Sequence, residues 1–345
     1  MNEIAEFCKN LKQNYKPHKT NFTKPVSCWS EKDLLDKEVT DTFVIIFKTK
    51  GCSWAFESGC SMCGYFNDSA WTDLSEKDLL SQFEISMEKY NNQRFVKIFT
   101  SGSFLDEKEI SANVRNKILE RLYRTADKVS VESRPEYLTN ETISDFKNLF
   151  KNKTFEVGVG LETADDTIRE KHINKGFTFN DYKKSADILK THNAKLKTYV
   201  LIKPPFLTEK QAINDAVNTV DKIKNITDLV SFNPVNVQKN TVVSYLWNRG
   251  MYRPAWLFSV VEILKKSKEL AKNIRIKCDI AGGGSIRGAH NCRECDAQFL
   301  KTISDFSLSQ DTNVFNNLNC SCHDKWLDQL DVENLGFGSH IDMYR

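Results

Sequence analysis

Three cysteines, Cys52, Cys60 and Cys63, stand as C-x7-C-x2-C directly after Thr42-Phe-Val-Ile-Ile-Phe47, a run that reads as a buried strand. Any fold for this chain must therefore end a strand in a loop whose sulfurs converge. One small loop can present Cys60 and Cys63 to a single metal centre, and Cys52 reaches it across a segment that contains Gly59. Gly51 and Gly64 flank the motif, and glycine allows positive φ and close backbone approach to sulfur. Three thiolates are one short of closing a four-iron cluster or a tetrahedral zinc site. An open position makes the loop a reactive centre; a histidine or distant cysteine in it makes the loop a structural staple. A disulfide fits poorly. The N-terminus, Met-Asn-Glu-Ile-Ala-Glu-Phe, has neither a basic nor an apolar leader, so the expected location is the cytoplasm, where clustered thiols usually hold metal.

At 345 residues the chain has room for one large barrel with appendages, or for two ordinary domains. Its apolar runs are short and none approaches a membrane span. The net charge of +3 is small but unevenly spread. Lys9, Lys12, Lys16, His18, Lys19 and Lys24 fall together without an acid, interleaved with Tyr15 and Phe22. Residues 239–277 hold nine Lys or Arg against Glu262 and Glu269. Basic stretches with aromatics suit a phosphate backbone with unstacked bases. A solvated lysine-rich surface is the plainer alternative.

From Thr42 a regular alternation begins. Strands are expected at Thr42–Lys48, Phe95–Thr100, Lys128–Ser133, Thr154–Leu161, Lys195–Ile202 and Leu229–Val235, with helices between them. Ser75-x-x-Asp78 forms a capping box for a helix with Leu79, Phe83 and Met87 on one face. Ile213, Ala216, Val217, Val220 and Ile223 make another apolar stripe. Six β-then-α units predict parallel strands, as an α/β partial (β/α)6 TIM-type barrel or a doubly wound sheet. No G-x-G-x-x-G follows the first strand, so the dinucleotide fingerprint is missing. The expected division is a polar, partly helical and basic extension over 1–40, a barrel over 41–280 and a cysteine-rich metal-binding segment over 281–345.

Functional groups of such barrels lie on loops after the C-terminal strand ends, and the cysteine loop is at one. Later strand ends carry Thr100-Ser101-Gly102-Ser103, then Glu132 and Arg134, a pair suited to a ribose and a carboxylate. Gly158-Val-Gly160-Leu-Glu162 offers small residues where a ligand can lie on the backbone. Past residue 280 come His290, Cys292, Cys295, Cys320, Cys322 and His323. A C-x2-C with a second cysteine pair points to Zn2+ on the four cysteines, with His290 as the substitute ligand. A second iron–sulfur cluster is the rival. Either would hold a tail expected to bury little apolar area of its own.

The cysteine loop resembles that of the radical S-adenosylmethionine (SAM) superfamily, although its first gap is four residues longer than the common C-x3-C-x2-C. Glu132-Ser-Arg-Pro and Gly158-Val-Gly-Leu-Glu162 are similar to the Elp3-like branch. Ile286-Arg-Gly-Ala-His-Asn-Cys-x-x-Cys295, Asp305-Phe-Ser-Leu-Ser-Gln-Asp311 and Cys320-Ser-Cys322 resemble the archaeosine-forming radical SAM enzymes, over residues 25–335. The resemblance implies a [4Fe–4S] cluster on Cys52, Cys60 and Cys63, and SAM against Ser101, Gly102, Ser103, Glu132, Arg134, Gly160 and Glu162. It implies a tRNA bearing the lysine adduct of preQ0 at position 15, a lysine-adding partner enzyme, an external one-electron reductant, and cleavage of the lysine C–N bond. Glu162 and Asp279 are the acid–base candidates. Two other readings stay open: a related enzyme acting on another tRNA base or a metabolite, and a non-catalytic metal-bearing tRNA-binding protein.

Overall fold

Successive side chains of a strand point to opposite faces, and several strands here alternate between apolar and polar residues. In Lys128-Val-Ser-Val-Glu132 and Lys195-Leu-Lys-Thr-Tyr-Val-Leu-Ile202, one set is largely aliphatic and the other largely charged or hydroxylated. A sheet made of them has an oily face for helices and a polar face for something else.

The computed structural model describes residues 3–13, 15 and 21–335. Helix α1 (Glu3–Lys12) precedes strands β1 (Ser27–Leu35) and β2 (Glu38–Ile46). Short helix α2 (Ser53–Glu57) lies in the cysteine loop, followed by α3 (Glu76–Met87), β3 (Phe95–Phe99), α4 (Ala112–Tyr123) and β4 (Lys128–Glu132). Next come α5 (Asn140–Leu149), β5 (Thr154–Glu162) and α6 (Asp166–Ile168), which runs into a π-helical turn at Arg169–Ile173. The chain continues through α7 (Phe179–Thr191), β6 (Lys195–Ile202), α8 (Glu209–Ile223), β7 (Leu229–Pro234) and α9 (Val242–Trp247). It ends with α10 (Leu257–Leu270), β8 (Arg275–Cys278), α11 (Asp296–Ser309) and α12 (His323–Leu335).

All eight strands form one sheet in chain order, antiparallel between β1 and β2 and parallel from β2 to β8. The oily face supplies Phe43, Ile45, Val96, Val129, Val157, Val200 and Val230 to a core shared with the helices. The capping box on Ser75 and Asp78 is formed, and Leu79 and Phe83 are buried as expected. The polar face turns inward: Lys97 of β3 and Lys277 of β8 lie close enough to Lys197 of β6 to oppose its charge. Strands so far apart in the sheet meet only if it curls. Its two edges are joined by ions, because Asp33 on β1 accepts from Arg275 and Lys277 on β8 and from Lys97. The expected partial barrel is therefore present, with a charged lumen.

Two strands lie outside the expected six. Within residues 1–40, expected to be polar and partly helical, β1 pairs along its whole length with β2. Its polar composition hid it: Glu31 and Asp33 face the lumen and neutralise Lys97. The hairpin turns through Asp36 and Lys37, both at positive φ (49° and 78°), as the tight turns that match strand twist require. β8 is four residues long and two of them are cationic. The tail also differs from expectation, since Phe299, Ile303 and Phe306 of α11 belong to the same core as the barrel. No helix among the described residues is long and apolar enough to cross a membrane.

Candidate metal centres at the sheet mouth and in the tail

The cysteine loop leaves β2 at the C-terminal mouth of the sheet. Cys52 caps α2, Gly59 turns the chain at φ +78°, and Cys60 and Cys63 follow. The loop is held on several sides. The π-helical turn contributes the carbonyl of Ile173 to Ser61 N (2.8 Å), and the Asn174 side chain donates to Ser58 Oγ (2.9 Å) and Gly59 O (2.7 Å). Asn174 itself stands at φ +58°. Beyond Cys63, Gly64 N donates to Gln238 Oε1 (2.6 Å), which ties the loop to the segment after β7.

Burial raises the Cys52 thiol, against the Arg134 guanidinium, and pushes Cys63 up to about 12 with help from Cys60. Thiols crowded into one poorly solvated mouth need a cation to become thiolates, which is what a metal supplies. Three such thiols on one loop suit a polynuclear centre, where each cysteine takes its own iron.

The strand ends converge on this loop. Gly102 lies against it so closely that a Cβ there would fall 2.5 Å from Cys52 Cα and 2.5 Å from Glu109 Oε2. Ser101 is partly exposed beside it, while Ser103 is engaged structurally: its N–H donates to Glu109 (2.5 Å) and its Oγ accepts from Arg134 N (3.0 Å). Glu109, pushed up to about 7 by burial, thus braces the turn. Arg134 pairs with Glu136, donates to Lys175 O (2.9 Å) and stacks near Trp54. Glu132 accepts from Tyr199, which accepts from Lys197 (2.6 Å); burial raises Glu132 and, with Lys277 and Lys97, pushes Lys197 down to about 7.

Glu162 stands at φ +68° in a bulge of β5 and pairs with Lys175 at 2.6 Å. Burial works against the Lys175 charge, yet Glu162 and Cys60 hold its affinity for the proton above the ordinary range. A Cβ on Gly160 would reach that pair at 2.7–2.8 Å. Asp279 is exposed, its Oδ1 accepting from Ala281 N (2.9 Å). Tyr65, 60% exposed as a residue, sits among these groups; desolvation of its hydroxyl first, and then Cys63, Glu132, Asp279 and Glu162, oppose its ionisation. The mouth is accordingly aromatic and lined by charges of both signs.

The tail holds a second centre. Sγ atoms of Cys292, Cys295, Cys320 and Cys322 all lie within 4.8 Å of one another. Three of the separations are 3.8, 3.6 and 3.8 Å. A tetrahedral ion with metal–sulfur bonds of about 2.3 Å sets its sulfurs about 3.8 Å apart. The geometry therefore matches one small ion and not a second cluster. Cys320 is pulled down to about 7, chiefly by the Cys322 backbone N–H, while burial pushes Cys295 up to about 11. Neither histidine joins the group: His290 Nδ1 faces Gly288 O (2.8 Å), and His323 packs against Phe258 and Trp326.

Both basic stretches are only partly surface. Lys12 is 9% and Arg253 3% exposed, and Arg275 and Lys277 serve the lumen network. Lys9, Lys24, Lys239 and Arg249 are exposed; Lys16, His18 and Lys19 lie outside the described residues. Sequence reasoning did not find Glu109, Asn174, Lys175 or Gln238. The one local signal among them was the turn-prone Asn174, since asparagine tolerates positive φ.

No family model matches the chain. The archaeosine synthase subunit beta of Methanosarcina acetivorans is 40% identical over 330 residues, 94% of this chain and 95% of that protein. The archaeosine synthase subunit beta of Thermococcus kodakarensis is 36% identical over 313 residues, 89% of this chain and 96% of that protein. The crystal structure of methylornithine synthase superposes with a TM-score of 0.51 at 10% identity, over 79% of this chain and 70% of that one, a likeness of fold.

Proposed function

This chain belongs to the archaeosine synthase subunit beta family, and from that premise we propose that it is a radical SAM enzyme that modifies tRNA. Its reaction, in this reading, cleaves the lysine C–N bond of the lysine adduct of preQ0 at position 15 and leaves archaeosine. The observation that carries the proposal is the Cys52–Cys60–Cys63 loop at the C-terminal mouth of a curled parallel sheet, with the Gly102 turn pressed onto Cys52. The donor set fits: three soft thiols on one loop at the mouth of the sheet. Cys52, Cys60 and Cys63 would hold the [4Fe–4S] cluster, and Ser101, Gly102, Ser103, Glu132, Arg134, Gly160 and Glu162 would surround SAM.

Reduced and bound together, these cofactors supply a carbon radical that takes a hydrogen atom from the substrate. The chain's own part is placement. Gly102 lets its turn press onto Cys52 and Glu109, Gly160 leaves room for the Glu162–Lys175 pair, and Glu109 and Asn174 fix the loops from behind. Glu132, Glu162 and Asp279 around Tyr65 suit the cationic lysine arm and amidine, because carboxylates bind such groups through charge-assisted hydrogen bonds. Glu162, held by Lys175, and Asp279 are the residues assigned to proton handling at the amidine nitrogen. The tail quartet holds zinc as a structural ion, which its sulfur spacing supports. The relatives' name, subunit beta, supports a working complex with the lysine-adding enzyme, and an external donor provides the electron. A tRNA substrate places the reaction in the cytoplasm.

Anaerobic reconstitution with iron and sulfide, followed by SAM, dithionite and lysine-modified tRNA, tests this. 5′-Deoxyadenosine and archaeosine should appear together, and unmodified tRNA should yield no archaeosine. Deoxyadenosine without any change in the modified nucleoside would remove the assigned substrate, and a reconstituted cluster that never cleaves SAM would remove the reaction class.

A further inference from the structure

The lysine of the N-terminal helix that least resembles a surface lysine is Lys12, 9% exposed at the end of α1. Its Nζ donates to the carbonyls of Ala55 (3.2 Å) and Ser58 (2.5 Å). Those carbonyls belong to the last turn of α2 and its cap, where a helix has no donors of its own to offer. The same ammonium lies 5.1 Å from the centre of the Phe66 ring, beyond Cys63. One side chain therefore touches the loop both before Cys60 and after Cys63. It also lies over Gly59, which turns at φ +78° and where a Cβ would fall 1.9 Å from the Lys12 Nζ.

The helix carrying it is fixed. Ile4 and Cys8 are buried in an apolar cluster with Ile173 of the π-helical turn and Val235 and Val243 around α9. Tyr15, past the helix end, donates to Asn67 O and packs edge-on against Phe66.

A buried ammonium is costly unless an anion faces it. Burial works against the Lys12 charge and lowers its proton affinity, and the groups that oppose this are Cys8 and then Cys60, Cys63 and Cys52. Cys8 is pushed up to about 12 by burial and stays a neutral thiol. What remains is the cysteine trio, whose sulfurs become thiolates when they take metal.

We propose that Lys12 is a positioning residue and the counter-ion of the Cys52–Cys60–Cys63 loop, fixing the approach of Cys60 and favouring the reduced state of a bound cluster. The proposal rests on the cluster assignment made above. Its second half follows from charge: the potential of an iron–sulfur centre depends on the net charge around it, and a nearby cation favours the added electron.

Full-length wild type, Lys12→Gln and Lys12→Arg, each reconstituted anaerobically, separate these claims. Iron and sulfide per chain report loading, and an EPR-monitored redox titration reports the midpoint potential. Tail metal content and thermal midpoint report folding. Lys12→Gln should titrate at a more negative potential, leaving a several-fold smaller reduced fraction at the wild-type midpoint, while Lys12→Arg stays close to wild type. Should Gln load no iron while Arg loads it, the requirement for charge stands. Equal potentials in all three proteins, or equal loss of iron from both variants, would overturn the proposal. A wild-type protein that assembles no [4Fe–4S] signal would instead refute the cluster assignment.

Discussion

Glu162 stands in the left-handed region at φ +68°, a conformation that a non-glycine residue keeps only where its surroundings fix it. Here the bulge in β5 and the pairing with Lys175 do so, and the carboxylate ends beside the cysteine loop. The next residue leads to a second buried acid, for a different reason. Thr163 Oγ1 donates to Asp215 Oδ1 (2.6 Å), while Asp215 Oδ2 is buried without a partner. Burial pushes Asp215 up from 3.8 to about 6. The native chain therefore binds this proton more tightly than the unfolded chain, and stability falls as pH rises from about 4 to about 6. Asp215→Asn keeps an acceptor for Thr163 and removes the charge. It should stabilise the protein at pH 7.5 by on the order of 1–3 kcal/mol, the free-energy equivalent of that change in proton affinity, and by less at pH 5.0. Urea unfolding at the two pH values checks this, and an equal gain at both would contradict the burial argument. At this scale sequence shows only residues whose chemistry is intrinsic. Cysteines at close spacing are legible because sulfur binds metal wherever the chain puts it. Glu109 and Lys12 acquire their roles from backbone groups, such as those of Ser103 and Ser58, that only the fold delivers.

Elements divide in the same way. The six strands read from apolar runs were legible because their outward faces fill one core, and the ends of β3, β4, β6 and β7 agree with the reading to within a residue. β1 and β8 were not, because lumen-facing charges replace the apolar pattern at both edges of the sheet. The alternation in β4 and β6 was visible and signals a polar interior. The tail joins a cysteine group fitted to a metal ion with the barrel core. Trp326 of α12 stacks on Phe258 of α10 and donates to Ser259 Oγ (2.8 Å), so α12 has anchors besides the cysteines. Cys292→Ser should accordingly lose the tail zinc and lower the thermal midpoint by roughly 5 °C, without unfolding the barrel or stopping SAM binding. Elemental analysis should find one zinc per wild-type chain in addition to iron. Iron alone in the tail, with absorption that survives loss of Cys52, would replace zinc by a second iron site.

For the whole molecule the question is how a substrate the size of tRNA meets the mouth of a single barrel. The mouth offers phosphate no surplus of cations, since Lys175 is paired with Glu162 and Arg134 with Glu136. Binding must then come from cations around it. Lys239 and Arg249 are exposed on the segment that follows β7, where Gln238 and Asn67 join that segment to the cysteine loop. Lys12 has no place in such a footprint, because its ammonium is buried against the loop. Phosphate contacts release counterions, so affinity should fall with salt along a log–log slope that counts them. Replacing Lys239 and Arg249 together by Gln should flatten that slope by about 1 to 2, weaken binding of lysine-modified and unmodified tRNA alike, and leave SAM affinity unchanged. The free nucleoside adduct should turn over poorly through weak binding, with little dependence on salt. Filter binding and turnover between low and physiological salt measure both. Equal processing of the free adduct and the modified tRNA at every salt concentration would show that the enzyme reads the base alone, and the cations beside the mouth would lose their assigned role while the cysteine loop kept its own.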